Sequence, residues 1–440
     1  MTPPRASLKG FLATAKKALL SPPAQRPNPL TFVVGNESAD LDSLCSTVIL
    51  AYFRTHTPPH TLHIPISNLQ RADLALRPEL NAVLSPAGLK PDDLITLTDL
   101  PREGLNPQHT RWLLVDHNVL TGDLAARFSH QVIGCIDHHD DEGVIPQTLP
   151  PGQPRVFAKC GSCMSLVLDQ FKPTWDRLTP LSCDDGTPSA DCDAHLARVA
   201  LAPILIDTCN LASKDKTTDW DERAVALAES KLLGRPLFQS QSQPQPQSQS
   251  QPNKDEEGNG SSYNRTTYHD TLTSLKDHIR GLPYRDVLRK DYKRWTEGGA
   301  ALALGVSTVV HGFEYALREV GEQNREAFLA ALRAWAAEQR LDVAAVMTVS
   351  TTPEGVFTRE LLVWGLNPGG VEVVRAFLTK FREKLGLETW KGGALDGGGG
   401  GQEGGKGGEW RVCWRQLGIE YSRKQVAPML REAMKESSRL

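Results

Sequence analysis

Two aspartates that stand two residues apart follow an apolar run near the start of the chain. The stretch VVGNESADLDS, residues 33–43, places Asp40 and Asp42 after a glycine and an asparagine. Short polar side chains of this kind also cap helices and make tight turns, because they accept hydrogen bonds from the backbone. Carboxylates are equally the ligands that Mg²⁺ and Mn²⁺ prefer. The stretch alone therefore leaves a turn and a metal site both open.

Three further apolar runs are followed by side chains that bind metals or move protons. These are Asp116 and His117 in RWLLVDHN, Asp137, His138 and His139 in VIGCIDHHDDEG, and Asp207 in APILIDTCN. Several carboxylates gathered in one crevice repel one another unless cations lie among them. Two divalent ions about 3.5–4 Å apart, bridged by a carboxylate, would lower the pKa of a bound water and support an in-line displacement at phosphorus.

Alternating strand and helix patterns before residue 236 predict the elements that would bring these side chains together. Strands are predicted over LTFVVGN, TLHIPIS, LITLTDL, RWLLVDHN and QVIGCIDHH, and helices over LDSLCSTVILAYFRT, GSCMSLVLDQF and DAHLARVALAPILIDTCNL. This βαβ rhythm is typical of an α/β fold with a mostly parallel sheet covered by helices. Because ligands bind outside the carboxyl ends of parallel strands, the polar clusters should meet in one crevice.

Two low-complexity stretches organise the rest of the chain. A Ser/Gln-rich stretch predicts a disordered linker at 236–265, which separates a first domain at 1–235 from a smaller α+β domain at 266–440. A Gly-rich loop is predicted at 392–408 within the second domain. The overall expectation is two unlike domains in one chain.

Composition excludes several classes of function. A formal net charge of −3 over 440 residues argues against a protein that coats nucleic acid or anionic membranes. No apolar run approaches the roughly 18 residues of a spanning helix. Eight cysteines form no framework, and the CGSC motif at 160–163 lacks the second pair of a zinc site, so free thiols in the reducing cytoplasm are expected. The acid-free stretch SLKGFLATAKKALL is predicted as a packed helix, with a mitochondrial presequence as the alternative.

The order of the polar motifs resembles that of the DHH phosphoesterase superfamily. NESADLDS, VDHN, IDHHDDEG and LIDT stand in the order of its four motifs, and LRKDYKRW and SRKQVAP resemble the hallmarks of the DHHA2 domain. The branch with both domains contains exopolyphosphatases, prune-like proteins and family II inorganic pyrophosphatases. The resemblance implies a DHH domain, a DHHA2 domain and an active site in the cleft between them.

The resemblance also implies a ligand set for two divalent ions. Asp40 and Asp116 would hold one ion, and Asp42, Asp116, His138 and Asp207 would hold the other, with Asp116 as the bridge. The ions would be Mg²⁺ or Mn²⁺, with Co²⁺ as an alternative.

A second set of residues is implied for phosphate. The predicted catalytic residues are His139, Lys293, Arg423 and Lys424, and the further predicted substrate contacts are Asn36, Lys214 and Arg289. His139 would face the phosphoryl group, while Asp137 and His117 would orient the metal ligands. Lys214 is about equally well explained as a solvated loop lysine.

Basic residues before and within LRKDYKRW predict a channel for a polyanion. Arg285, Arg289, Lys290, Lys293 and Arg294 fall within ten residues on a predicted helix or its end, where spacings of four place most of them on adjoining faces. With the SRK motif they could line a cleft for several phosphates. A solvated helix face is the alternative.

One position distinguishes between branches of the family. The pyrophosphatases carry histidine directly after the glycine, whereas this chain has Gly35 followed by Asn36. An amide is a weaker metal ligand than an imidazole, and the exopolyphosphatases and prune-like relatives carry asparagine there. The resemblance therefore favours an exopolyphosphatase that removes terminal orthophosphate from linear inorganic polyphosphate.

Several alternatives stay open. They are a prune-like short-chain polyphosphatase or nucleotide phosphodiesterase, a manganese-dependent inorganic pyrophosphatase, and a binding protein that kept the fold and lost catalysis. No nucleic acid, membrane or obligate protein partner is expected.

Overall fold

A computed structural model describes most of the chain. The described residues are 4–101, 105–234, 263–297, 302–352, 354–398 and 408–437. Most of the predicted linker at 236–265 and of the predicted Gly-rich loop at 392–408 lies outside these ranges. The proposed domain boundaries therefore stay predictions.

The described residues before 235 contain a sheet of five parallel strands in the order β2-β1-β3-β4-β5. The strands are β1 (Leu30–Val34), β2 (His63–Ile66), β3 (Thr110–Val115), β4 (Val132–Asp137) and β5 (Arg155–Phe157). Phe32 and Val34 pack on one side of the sheet and Val33 on the other, because successive side chains of a strand point to opposite faces. The predicted parallel sheet, buried on both faces, is confirmed.

One predicted strand is wrong. LITLTDL forms a 3-10 turn over Leu97–Asp99 and pairs with the sheet only through an isolated bridge between Ser67 and Thr96. The Asp99 carboxylate accepts hydrogen bonds from the Thr96 amide and from Arg71, at 2.7 and 2.5 Å. These local bonds compete with strand pairing, which is the usual effect of short polar side chains in such runs.

Seven helices accompany the first sheet. They are α1 (Leu8–Leu20), α2 (Leu41–Thr55), α3 (Pro78–Leu84), α4 (Gly122–Phe128), α5 (Cys163–Leu178), α6 (Ser189–Asp207) and α7 (Asp219–Leu232), counted over the described residues. Helix α2 is buried along almost its whole length between the sheet and helices α5 and α6. Its first turn, which carries Asp42, therefore lies in the interior at the edge of the sheet.

The N-terminal helix packs into the first domain, as predicted. Leu8, Phe11 and Leu12 join the core on one side of the sheet. Before the helix, the fully buried Arg5 guanidinium donates to the Leu178 carbonyl at 3.0 Å and lies 2.5 Å from the Asp193 carboxylate. The N-terminal segment is thus tied to the ends of α5 and α6.

Arg5→Met should lower the free energy of unfolding by about 3–5 kcal/mol, because it leaves the buried Asp193 charge without its partner. Urea denaturation measures the change. Lys9→Met, on an exposed position of α1, serves as the control and should change stability by less than about 0.5 kcal/mol. Equal midpoints for the Arg5 variant and the native chain would show that this ion pair contributes nothing to folding.

The second domain is built on a mixed sheet of seven strands among the residues described after 263. The strands are β6 (Tyr292–Glu297), β7 (Leu302–Val310), β8 (Val343–Thr351), β9 (Phe357–Gly365), β10 (Leu387–Thr389), β11 (Gly397–Gly398) and β12 (Trp410–Gln416). Their order is β10-β12-β9-β8-β7-β6, with β11 paired to β12. Only β7 and β8 run parallel within this described sheet. The predicted α+β character of the second domain is confirmed.

Helices cover both faces of this second sheet. They are α9 (Tyr284–Lys290), α10 (Phe313–Glu319), α11 (Arg325–Glu338), α12 (Pro368–Leu385) and α13 (Arg423–Ser437), counted over the described residues. Helix α8 (Arg265–Asp277), which precedes them, packs through Leu272 into the core of the first domain. Helices α9 to α11 pack on one face, and α12 and α13 pack on the other. Helix α13 begins at Arg423, so the SRK motif opens a helix.

The predicted helix covers only the first three residues of LRKDYKRW. Helix α9 ends at Lys290, and Lys293 and Arg294 lie on strand β6, paired with Val306 and Gly305. The spacing of four from Arg289 to Lys293 therefore does not place these two side chains on one helix face. The aromatic residues of DYKRW have high strand propensity, which favours strand β6 over a continued helix.

The expectation of free thiols is wrong for one pair of cysteines. Cys183 and Cys192 are joined by a disulfide, while Cys160 and Cys163 remain thiols. In the described parts of the chain, no helix combines the length and the apolar character needed to cross a membrane.

Candidate metal centre

Two loops and one helix start meet at the carboxyl edge of the first sheet. Asp42 lies in the first turn of α2, Asp116 follows β3, and His138 follows β4. The His138 Nε2 atom lies 3.2 Å from Asp116 Oδ1 and 4.0 Å from Asp42 Oδ2. Asp40 caps the start of the same helix, where its Oδ1 accepts from the Ser43 amide at 3.0 Å. The polar clusters do converge, as the strand pattern predicted.

Asp116 is held in one orientation by its neighbours. Its Oδ2 accepts hydrogen bonds from Asn36 Nδ2 at 2.7 Å and from Ser43 Oγ at 2.6 Å. Its Oδ1 faces His138 and, at 3.8 Å, His139 Nδ1. The backbone of Asp116 is left-handed with φ +62°, a conformation that aspartate and asparagine tolerate better than most residues. One carboxylate oxygen is thus fixed and the other is presented to the histidines.

Asp42 is anchored to the start of helix α5. Its carboxylate accepts hydrogen bonds from the Cys163 amide at 2.7 Å, the Met164 amide at 3.1 Å and the Ser162 hydroxyl at 2.9 Å. Amides at a helix N-terminus point outward and stabilise a negative charge. The Cys160 carbonyl, just before them, contacts His138 Nδ1 at 3.1 Å. The CGSC segment therefore orients two candidate ligands through its backbone, a role that its spacing did not signal.

His138 can act as a neutral ligand of a metal ion. Its Nδ1 donates to the Cys160 carbonyl, which leaves the Nε2 lone pair toward Asp116 and the Lys424 ammonium, 2.9 Å away. Burial, together with the nearby Lys424 charge, lowers the pKa of His138 to about 4. An imidazole that is neutral at physiological pH can coordinate a metal ion without first losing a proton.

The side chain of Asp137 holds the imidazole ring of His139. The His139 Nδ1 atom lies 2.7 Å from Asp137 Oδ1, and Asn118 Nδ2 donates to Asp137 Oδ2 at 2.6 Å. Burial would raise the pKa of Asp137, but the hydrogen bond and charge of His139 outweigh it and hold that pKa well below its usual range. Burial and the Lys424 charge lower the pKa of His139. Asp137 thus orients the imidazole ring of His139.

Burial and mutual repulsion both disfavour the negative charge of the carboxylates in the crevice. Burial first, and then the neighbouring Asp116 charge, raise the pKa of Asp42 to about 7. Burial and the Asp40 charge raise the pKa of Asp116 to about 8. Burial and the charge of Asp42 also raise the pKa of Asp207, the last residue of α6. A divalent cation among them would relieve this repulsion, so the donor set fits the metal ions that the family implies.

The residues that come close enough to share one ion differ in part from the predicted set. Ligand atoms of Asp116, His138 and His139 lie within 4.8 Å of one another. His139, predicted to face the phosphoryl group, therefore belongs geometrically to the ligand cluster. The assignment of Asp40, Asp42, Asp116, His138 and Asp207 as metal ligands stays a prediction.

The second domain brings basic side chains to this edge of the first. Lys424 contacts His138, and the Arg423 guanidinium donates to Ser38 Oγ at 2.9 Å and lies 2.7 Å from the Asp291 carboxylate. Lys293 points from β6 into the same buried region, where burial and the Arg423 charge lower its pKa. The three residues that the family pattern assigned to phosphate are therefore close to the candidate metal ligands.

The other basic residues predicted to contact the substrate are paired with carboxylates or exposed to solvent. Arg289 forms ion pairs with Asp73 and Asp286, and Arg285 pairs with Glu338 at 2.6 Å. These carboxylates neutralise charges that the sequence reading had assigned to a polyphosphate channel. Lys214 is exposed in the loop between α6 and α7.

Sequence reasoning missed a buried lysine next to the crevice. Lys276 lies in the last turn of α8. Burial alone would lower its pKa, but the carboxylates of Asp207, Asp277 and Asp40 raise it overall. No motif surrounds Lys276 in the sequence, so only its spatial neighbours reveal it.

Binding of Mn²⁺ to the metal-free protein should release more protons at pH 6.5 than at pH 8.5. Asp42 and Asp116, with pKa values of about 7 and about 8, hold protons at the lower pH that the metal must displace. Affinity should accordingly rise as the pH passes from 6.5 to 8.5. Calorimetry in buffers of different ionisation enthalpy measures the release. Equal release at both pH values would contradict the raised pKa of these carboxylates.

Comparisons with known proteins agree with this arrangement. A family model described as "DHH family, N-terminal domain" matches residues 31–204, and one described as "DHHA2 domain" matches residues 270–433. A Schizosaccharomyces pombe protein named "Putative exopolyphosphatase" is 29% identical over 406 residues, which cover 92% of this chain and 91% of that protein. Exopolyphosphatase PRUNE1 of Homo sapiens is 25% identical over 343 residues, covering 77% of this chain and 64% of that protein.

A solved structure shares the fold. The crystal structure titled as a Methanococcus jannaschii "putative family II inorganic pyrophosphatase" superposes with a TM-score of 0.54 at 20% identity. The match covers 92% of this chain and 99% of the other. At this identity the likeness concerns the fold alone.

Proposed function

Because family models of the DHH N-terminal domain and of the DHHA2 domain match residues 31–204 and 270–433, we propose that the chain is a DHH-family exopolyphosphatase that removes terminal orthophosphate from linear inorganic polyphosphate. The observation that carries the proposal is the 2.9 Å contact between Lys424 Nζ of the second domain and His138 Nε2 of the first. This contact supports the proposal because it brings an ammonium group that could bind phosphate to the candidate metal ligands. The names of the relatives support a phosphoanhydride hydrolase.

Two divalent ions, Mg²⁺ or Mn²⁺, are proposed as the cofactors. The proposed ligands are Asp40, Asp42, Asp116, His138 and Asp207, with His139 added from its position in the cluster. When bound, such ions supply an activated water and neutralise charge on the phosphoryl group.

The chain's own residues prepare this chemistry. Asn36 and Ser43 hold the Asp116 carboxylate so that its Oδ1 is presented to the histidines. Asp137 orients the His139 ring through Nδ1. These bonds fix ligand positions before substrate arrives, which reduces the reorganisation that the reaction needs.

Basic residues of the second domain would bind the substrate. Lys424, Arg423 and Lys293 would contact the phosphoryl oxygens and the leaving end of the chain, where negative charge develops. Since Arg285 and Arg289 are paired with carboxylates, we expect the strongest phosphate contacts close to the metal ligands. Domain closure over the substrate would then exclude water.

Asn36 supports a polyphosphatase over a pyrophosphatase. Its amide nitrogen donates to both the carboxylate and the carbonyl of Asp116, at 2.7 and 3.2 Å. The side chain therefore orients a ligand and does not offer a nitrogen lone pair to a metal. An enzyme built in this way lacks the additional imidazole ligand that the family pattern gives to pyrophosphatases.

The test measures phosphate release from long-chain polyphosphate, from pyrophosphate and from a nucleoside triphosphate, each with Mn²⁺ or Mg²⁺ and with EDTA. Rapid, metal-dependent release from the long chain and little from pyrophosphate is expected. The reverse preference would replace the proposal with a pyrophosphatase. Release from no substrate would favour the alternative of a binding protein that has lost catalysis.

A further inference from the structure

The three residues between Asn36 and Asp40 are held by groups from both domains. The Arg294 amide of the second domain donates to Glu37 Oε1 at 2.7 Å, and Thr121 Oγ1 donates to Glu37 Oε2 at 2.8 Å. Arg423 of the second domain donates to the Ser38 hydroxyl at 2.9 Å. The segment 37–39, here called the Asp40 loop, is thus a place where the second domain contacts the candidate metal centre.

Arg77 joins the Asp40 loop to the second domain through a single side chain. Its Nε donates to the Ala39 carbonyl and its Nη2 to the Ser38 carbonyl, both at 2.5 Å. The same Nη2 donates to the Lys290 carbonyl in the second domain at 2.8 Å. Arg77 is 4% exposed, so these bonds form out of contact with water. One guanidinium therefore fixes two carbonyls of the loop and one of the second domain.

The conformation of the loop requires such support. Ala39, directly before Asp40, has a left-handed backbone with φ +47°. A residue with a Cβ adopts this conformation at a cost, and it persists only where the surroundings enforce it. The Arg77 bond to the Ala39 carbonyl fixes the peptide that links Ala39 to Asp40. The direction in which Asp40 leaves the loop thus depends on Arg77.

We propose that Arg77 is a positioning residue that couples seating of the second domain to metal binding at Asp40. The inference rests on the proposed function, since it takes Asp40 as a metal ligand. Its physical basis is the planar guanidinium, whose donors in a fixed geometry hold both partners at once. By the same linkage, metal binding should favour the position of the second domain in which it contacts Arg77 and the Asp40 loop.

The test replaces Arg77 with lysine in the full-length chain. A lysine ammonium cannot reproduce the planar fork, so it cannot hold the two loop carbonyls and the Lys290 carbonyl together. Mn²⁺ affinity of the metal-free protein, measured by calorimetry without substrate, should fall by about 10–100-fold, the range for groups that orient metal ligands. The loss should also lower kcat more than it raises KM for polyphosphate.

Arg71→Lys is the matched control. Arg71 begins the same turn of the first domain and donates to the Leu94 carbonyl and Asp99, at 2.8 and 2.5 Å, within that domain. Its replacement should leave Mn²⁺ affinity unchanged. Native Mn²⁺ affinity in a folded Arg77→Lys protein, or the same loss in the Arg71 variant, would overturn the proposal.

If Arg77→Lys does not fold, a second pair of variants, at Glu37, tests the same coupling between the second domain and metal binding. Glu37→Ala removes the carboxylate that accepts from the Arg294 amide and should weaken Mn²⁺ binding. Glu37→Gln keeps an acceptor oxygen and should restore affinity to near the native value. Equal affinity in both Glu37 variants would contradict the coupling. Since these measurements use Mn²⁺ alone, a native chain that fails to hydrolyse polyphosphate would refute the proposed function without touching this result.

Discussion

Asp116→Asn should lower phosphate release from polyphosphate by about 10³-fold or more, because it removes the proposed bridging ligand. A metal ion contributes several kcal/mol of transition-state stabilisation, and each 1.36 kcal/mol corresponds to a factor of ten in rate. Asparagine keeps the size of the side chain and one acceptor oxygen for Asn36 and Ser43. The measurement is the initial rate at saturating Mn²⁺ for variant and native chain.

The same variant should remain folded. Asn tolerates the left-handed backbone that this position adopts, and the substitution removes a buried carboxyl group whose ionisation the Asp40 and Asp137 charges oppose. Thermal unfolding of the metal-free variant should therefore begin no earlier than that of the native chain. Asp140→Asn, on an exposed residue of the neighbouring loop, is the control and should keep its activity. A fully active Asp116→Asn protein would refute the shared-ligand assignment.

Lys424→Met should lower kcat/KM for polyphosphate by about 10²–10³-fold, the usual effect of removing one group that stabilises transition-state charge. The Lys424 ammonium lies 2.9 Å from His138 Nε2, so it can contact a phosphoryl group held next to the metal ligands. Mn²⁺ affinity should stay the same or rise, because the substitution removes a positive charge from the ligand cluster. Steady-state kinetics and calorimetry on one preparation give both quantities.

Lys435→Met is the matched control for this prediction. Lys435 lies on the same helix α13 and pairs with Glu297 at 3.4 Å, with more than half of its side chain exposed. Its replacement should leave kcat/KM within about two-fold, as surface changes usually do. If Lys424→Met weakened Mn²⁺ binding and left kcat/KM intact at saturating metal, Lys424 would support the metal site and would not act on the substrate.

Local sequence patterns were sufficient for the main strands of the first sheet. The cores of β1 and β3 read as continuous apolar runs, because a parallel strand buried on both faces needs apolar residues at successive positions. The LITLTDL segment failed because hydrogen bonds from Thr96 and Arg71 to Asp99 favour a turn there. The LRKDYKRW segment failed because a helix ends and a strand begins inside it, at a boundary that no glycine or proline marks.

The sequence by itself determined which side chains are available at the carboxyl edge of the first sheet. Motif order identified the DHH and DHHA2 domains, and strand topology implied that Asp42, Asp116 and His138 would meet. Both inferences use information that is local along the chain, namely residue type, spacing and the ends of predicted strands.

Only the tertiary structure decided which groups hold those side chains in place. Arg77 reaches Lys290, and Lys424 reaches His138, across separations of 213 and 286 residues. Lys276 and the backbone of CGSC join the site in the same way, from elements that carry no motif for it. Spacing along the chain holds no information about such contacts, because they arise only when elements that are far apart in the sequence pack against each other.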